Sequence, residues 1–168
     1  VGYVEANDVK AVYDYAVADG ERNIVLWGIS MGAATIIKAM HDFASVQPSR
    51  VILEMPFGTM YDAVKGRLRI MEVPQEPLAI LLTFWGGTEL GIWAFSNKPE
   101  EYAKSISCPA LLEWGAEDPR VSRTETENIF INLSSKEKTY AEYKNAGHES
   151  LCKNDHAVWM QYVTSFLK

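Results

Sequence analysis

Ser30 is the centre of Gly28-Ile29-Ser30-Met31-Gly32, and the chain carries the two partners that a serine needs to attack an acyl carbon. A serine hydroxyl is a poor nucleophile at neutral pH, so a positioned base must take its proton. Of the three histidines, His148 in Ala146-Gly147-His148-Glu149-Ser150 follows the end of a strand-like stretch, whereas His41 and His156 fall inside helical patterns. The imidazole in turn needs a carboxylate that fixes its tautomer and stabilises the imidazolium. Asp118, in Gly115-Ala116-Glu117-Asp118-Pro119-Arg120-Val121, follows another apolar run. Two carboxylates compete with it: Glu117 reads as a solvated loop charge, and Glu54 ends an apolar run of its own. Together these residues point to acyl transfer, in which an acyl-serine forms and water then hydrolyses it. No metal-ligand spacing, phosphate-binding loop or dinucleotide fingerprint occurs, so neither metal nor cofactor is expected.

The elements around Ser30 suit that chemistry. Ile24, Val25, Leu26 and Trp27 form an apolar run, and Ala33, Ala34, Ile36, Ile37, Ala39 and Met40 follow at once as helix formers. The serine therefore sits on a strand-to-helix turn, the sequence form of a nucleophile elbow. Gly28 and Gly32 are expected there because a side chain at either place would crowd the turn. The turn also sets the Met31 N–H at the helix N-terminus, where the dipole favours a developing oxyanion.

On Gly-x-Ser-Met-Gly and the Ser30, Asp118, His148 order, the chain resembles the α/β-hydrolase family, in particular its esterase, lipase and serine-aminopeptidase-like members. The resemblance runs from about residue 5 to the C-terminus and covers the C-terminal part of the family pattern. It implies a catalytic triad of Ser30, Asp118 and His148, an oxyanion hole to which Met31 contributes, and a carboxylic ester as substrate, with amides second. The family places its elbow after several earlier strands, which need at least some 60 to 80 residues, and its second oxyanion donor follows one of them. Only one helix precedes Ser30 here. The second reading is therefore a non-catalytic, truncated hydrolase domain that binds an acyl ligand or another chain. Under either reading the elbow strand has an open edge that something must cover, a homodimer being one way.

Helices are expected from Asn7, as a cap, to about Gly20, over 31–43, over 59–71, from Ser122 to about Leu133, and from Asn154 or Asp155 to the end. Strands are expected over 23–28, 51–54, 110–114 and 139–144, giving an α/β fold with a parallel sheet of about four strands. About fifty residues separate the second strand from the third, far more than a short crossover. Residues 57–105 accordingly read as a helical cap inserted into a core of 1–56 and 106–168. Phe84, Trp85, Trp93 and Phe95 in this insertion are candidates to line an acyl pocket over Ser30. Its apolar stretch is broken by Gly86-Gly87 and Glu89, so no piece reaches the roughly 20 residues that span a bilayer.

Composition agrees. The 168 residues are 48% hydrophobic and 23% charged, with a net charge of −6 and no Lys/Arg cluster longer than a pair, which argues against a nucleic-acid partner. Cys108 and Cys152 form no Cys-x-x-Cys pair and are too few for a disulfide scaffold, and no basic-then-apolar leader opens the sequence. A reducing, cytoplasmic setting is the expectation.

Overall fold

The structure, a computed structural model, describes residues 2–168. Four strands, β1 (Val25–Ile29), β2 (Arg50–Glu54), β3 (Ala110–Gly115) and β4 (Lys138–Tyr143), form one parallel sheet in the order β1-β2-β3-β4. Helix α1 (Ala6–Ala18) precedes β1, and α2 (Met31–Asp42) joins β1 to β2. Between β2 and β3 lie α3 (Met60–Ile70), α4 (Leu78–Glu89) and the short α5 (Pro99–Tyr102). Then α6 (Arg123–Asn132) joins β3 to β4, and the single-turn α7 (Leu151–Asn154) leads to α8 (His156–Leu167).

The central strands β2 and β3 bury both faces, because alternate residues feed two separate cores. Val51, Leu53, Ala110 and Leu112 face Ile36, Ile37, Ile129 and Leu133 of α2 and α6, while Ile52 and Leu111 face Trp159 and Val163 of α8. β1 and β4 form the two edges of the sheet and are less buried: Trp27 and Ile29 of β1 are about half exposed, and Thr139 of β4 is exposed. The open edge expected for the elbow strand is present, and on that side the strand lacks neighbours.

Helix boundaries follow local chemistry. The Ser122 hydroxyl and the Glu125 carboxylate make the expected capping box, Thr59 caps α3 through the Asp62 N–H, and Asp155 caps α8 through the Val158 N–H. Asn7 does not cap α1. The helix begins one residue earlier, at Ala6, and the Asn7 amide donates back to the Val4 carbonyl.

One part of the core is ionisable. Glu54 and Glu113 are in register on neighbouring strands, and both are essentially fully buried on the α8 face. Trp27 Nε1 donates to Glu54 Oε1 at 2.7 Å, and the Tyr143 hydroxyl donates to Glu113 Oε1 at 2.5 Å. Burial pushes both carboxyls up, Glu113 to about 7, where the hydrogen bond from Tyr143 opposes the shift and the neighbouring Glu54 charge adds to it. Between the ordinary value of 4.5 and about 7 the folded chain therefore binds more proton at Glu113 than the unfolded chain does. The resulting stability is fully present at low pH and is lost as pH rises through about 7. Glu113→Gln, which retains an acceptor for Tyr143, should remove this slope and be more stable than the parent by about 3 kcal/mol at about pH 8. Urea unfolding at about pH 5 and about pH 8 checks this, and parallel slopes for both proteins would refute it.

Candidate active site

Ser30, Asp118 and His148 lie at the C-terminal ends of β1, β3 and β4, where a parallel sheet delivers residues from distant parts of a chain to one rim. Ser30 sits between β1 and α2 with φ 52° and ψ −112°, a backbone geometry that costs a non-glycine residue roughly 1–3 kcal/mol. Two bonds hold it: its N–H donates to the Glu54 carbonyl at 2.7 Å, and its carbonyl accepts from Ala34 in the first turn of α2. The two flanking glycines are not equivalent. A Cβ on Gly28 would lie 2.5 Å from the Gly32 carbonyl carbon and 2.6 Å from the Ala33 nitrogen, whereas a Cβ on Gly32 would meet nothing within 4 Å. Crowding explains Gly28 and not Gly32.

The Asp118 loop and the His148 loop are tied together. Ala116 N–H donates to the Tyr143 carbonyl and Glu117 N–H to the Ala146 carbonyl, both at 2.9 Å. Gly115 makes the approach feasible, since a Cβ there would lie 2.4 Å from the Ala146 oxygen. Asp118 Oδ1 accepts from the N–H groups of Arg120 and Val121 at 2.7 and 3.0 Å, which leaves Oδ2 for His148 Nδ1 at 2.7 Å. His148 Nε2 lies 2.9 Å from Ser30 Oγ. With Nδ1–H donated to the carboxylate, Nε2 presents its lone pair to the hydroxyl, so the imidazole can accept the serine proton.

The competing groups lie elsewhere. Glu54 is engaged by Trp27 in the core, and Glu117 is exposed. His41 stacks on Tyr102 and meets Ser105, and His156 opens α8 beside Trp159. Among the described residues, no group of three His, Cys, Asp or Glu gathers as a metal site would require.

Ser30, Met31 and His148 open into a cavity of about 760 Å³. Its walls come chiefly from α3 and α4: Met60, Val64, Arg67, Leu68, Leu78 and Leu82, joined by Phe57, Arg120 and Val121. Phe84, Trp85, Trp93 and Phe95 are not in this lining. They meet one another instead, with ring centroids 5.1 to 6.3 Å apart, and Phe84, Trp85 and Trp93 are largely exposed. The wall was legible as Met60, Ala63, Val64, Arg67, Leu68 and Met71, one stripe of α3 at helical spacing, but the larger aromatics drew attention away from it. Glu125 is a second missed residue: besides capping α6, it accepts from the Gly58 N–H and so anchors the start of the 57–105 segment. No single helix among the described residues is long and apolar enough to cross a membrane.

No family model matches the sequence, and no curated protein is significantly similar to it. Solved structures do match. An esterase from Pyrococcus furiosus superimposes with a TM-score of 0.74 at 20% identity, covering 99% of this chain and 62% of the esterase. This chain has an α/β fold, a four-stranded parallel sheet flanked by helices, that matches part of α/β-hydrolase structures. The uncomplexed acylaminoacyl peptidase of Pyrococcus horikoshii gives 0.71 at 19% identity, and the Paleococcus ferrophilus monoacylglycerol lipase gives 0.64 at 19%. These matches cover 99% and 96% of this chain but 27% and 76% of the others, so this chain spans only part of the length of those proteins. At such identities the likeness concerns the backbone.

Proposed function

We propose that this chain carries the nucleophile, base and acid of a serine hydrolase acting on carboxylic esters, with amides as a second substrate class. The observation that carries the reading is the relay from Asp118 Oδ2 through His148 to Ser30 Oγ, with contacts of 2.7 and 2.9 Å, at the mouth of an apolar cavity. The solved esterase, lipase and peptidase structures that share the fold support it.

In this reading Ser30 Oγ bonds to the acyl carbon as His148 Nε2 takes its proton. The carbonyl oxygen becomes an oxyanion facing the Met31 N–H, one of the first-turn amides that a helix leaves without an intrahelical acceptor. The tetrahedral intermediate then collapses, the bond to the leaving group breaks, and His148 returns the proton to that group. Water attacks the acyl-serine by the same route with His148 as base, which releases the acid and restores Ser30. Asp118, its side chain fully buried, holds the imidazole orientation and stabilises the imidazolium. Helices α3 and α4 act as the cap that the sequence suggests, roofing the cavity with apolar side chains and limiting water around the acyl group.

Intact-mass spectrometry after treatment with a fluorophosphonate tests the reading. One adduct on the parent chain and none on Ser30→Ala is the expected result. A parent chain that stays unmodified under conditions that label a serine esterase control would overturn it, and would favour a binding role for the cavity.

A further inference from the structure

The apolar cavity has a charged wall that hydrolysis of a plain acyl ester does not use. Arg67 from α3 and Arg120 from the β3–α6 loop both line it, together with Ser30 and His148. The fold brings α3 against the β3–α6 loop at Gly66, where a Cβ would lie 2.2 Å from the Arg120 carbonyl oxygen. Arg69, one turn position away, donates to the Pro119 carbonyl at 3.1 Å and fixes the same contact. Among the described residues no hydrogen bond or ion pair joins the guanidinium of Arg67 or Arg120 to a protein acceptor, whereas Lys65, Arg69 and Arg123 all have one. The chain carries 22 acidic residues against 16 basic ones, so acidic partners are not scarce. Two guanidinium groups on the lining of one cavity, Arg67 exposed and Arg120 half-buried, with no internal counter-charge, suit an oxyanion from outside, since the planar guanidinium fork binds carboxylate or phosphate through paired hydrogen bonds.

We propose that Arg67 and Arg120 are specificity residues, and that the substrate carries an anionic group, carboxylate or phosphate, in addition to the acyl carbon that meets Ser30. The proposal rests on Ser30 being the nucleophile. The apolar stripe of Met60, Val64, Leu68 and Leu82 takes the hydrocarbon part, and the arginines take the anionic end. Neither arginine takes part in the covalent steps.

The test compares rates of Ser30 labelling by alkyl fluorophosphonates of matched tail length, over a series of lengths, ending in a carboxylate, a phosphate monoester or a neutral methyl ester. At the best length an anionic tail should label about tenfold faster than the neutral one, the worth of one charge-assisted hydrogen bond. The advantage should shrink as salt is added and fall to about one in Arg67→Gln/Arg120→Gln. Lys65→Gln, which removes an equal charge from α3 outside the cavity lining and away from the Arg120 loop, should retain it and so separates specific recognition from the general field. The faster of the two anionic tails identifies the group. Equal rates for anionic and neutral tails at every length, with Ser30 labelled by all, would overturn the anion proposal alone. Failure of every probe to label Ser30 would overturn the nucleophile reading and this proposal with it.

Discussion

Asp118→Asn lowers ester hydrolysis by about 10⁴-fold while leaving the fold intact. Both halves of this expected result come from the two oxygens of one buried carboxylate. Oδ1 accepts from the Arg120 and Val121 amides, and an asparagine can keep its carbonyl oxygen there. The asparagine NH₂ then faces His148 where a carboxylate oxygen was. Because an NH₂ group donates, Nδ1 must become the acceptor and the ring proton moves to Nε2, which turns an N–H toward Ser30 Oγ. The serine is left beside a donor where it needs a base. Steady-state hydrolysis of a neutral ester, together with the circular dichroism spectrum and the urea midpoint, separates the two halves. A rate within tenfold of the parent would mean that another group orients His148.

Gly28→Ala should be the most damaging small substitution near the site. The added Cβ overlaps the backbone of Gly32 and Ala33 at 2.5 to 2.6 Å, and backbone in the first turn of a buried helix has no room to retreat. A loss of about 3 kcal/mol or more is expected, with Ser30 labelling reduced even where the chain remains folded, because the strained turn must open to relieve the overlap. Gly32→Ala is the control. Its Cβ meets nothing, and alanine is the better helix former, so its stability should fall within about 1 kcal/mol of the parent or rise above it. Thermal melts of the two variants decide the matter, and similar losses at both positions would show that the turn is not packed as described.

The pair also shows where sequence reading stops. From Gly-x-Ser-x-Gly the two glycines look symmetric about Ser30, yet their surroundings are set by the direction in which each Cα–Cβ bond would point once the strand turns into the helix. The four expected strands and the main helices are present, shifted by a residue or two, because alternation, helical spacing and capping residues act over a few neighbours. Ser122 to Glu125 is such a case. Asn7 is the failure of the same kind, a good capping residue that lies two positions past the cap, in a helix that starts at Ala6.

What the sequence determined by itself was the set of parts: parallel α/β architecture, a serine on a strand-to-helix turn, and an acid and a histidine each following a strand. Local periodicity and short motifs carry that information, since each depends on residues close in the chain. Only the tertiary structure decided which parts meet. It joined Ser30 to His148 across 118 residues, placed Glu54 beside Glu113 in the core and away from the histidine, and built the cavity wall from α3 while the aromatics gathered on one another. It also brought Arg67 and Arg120 to the lining of one cavity, with Gly66 letting the backbone of α3 touch that of the Arg120 loop. Contacts between segments far apart in the chain depend on sheet register and helix approach, which are settled by the packing of the whole domain and by no stretch of sequence alone.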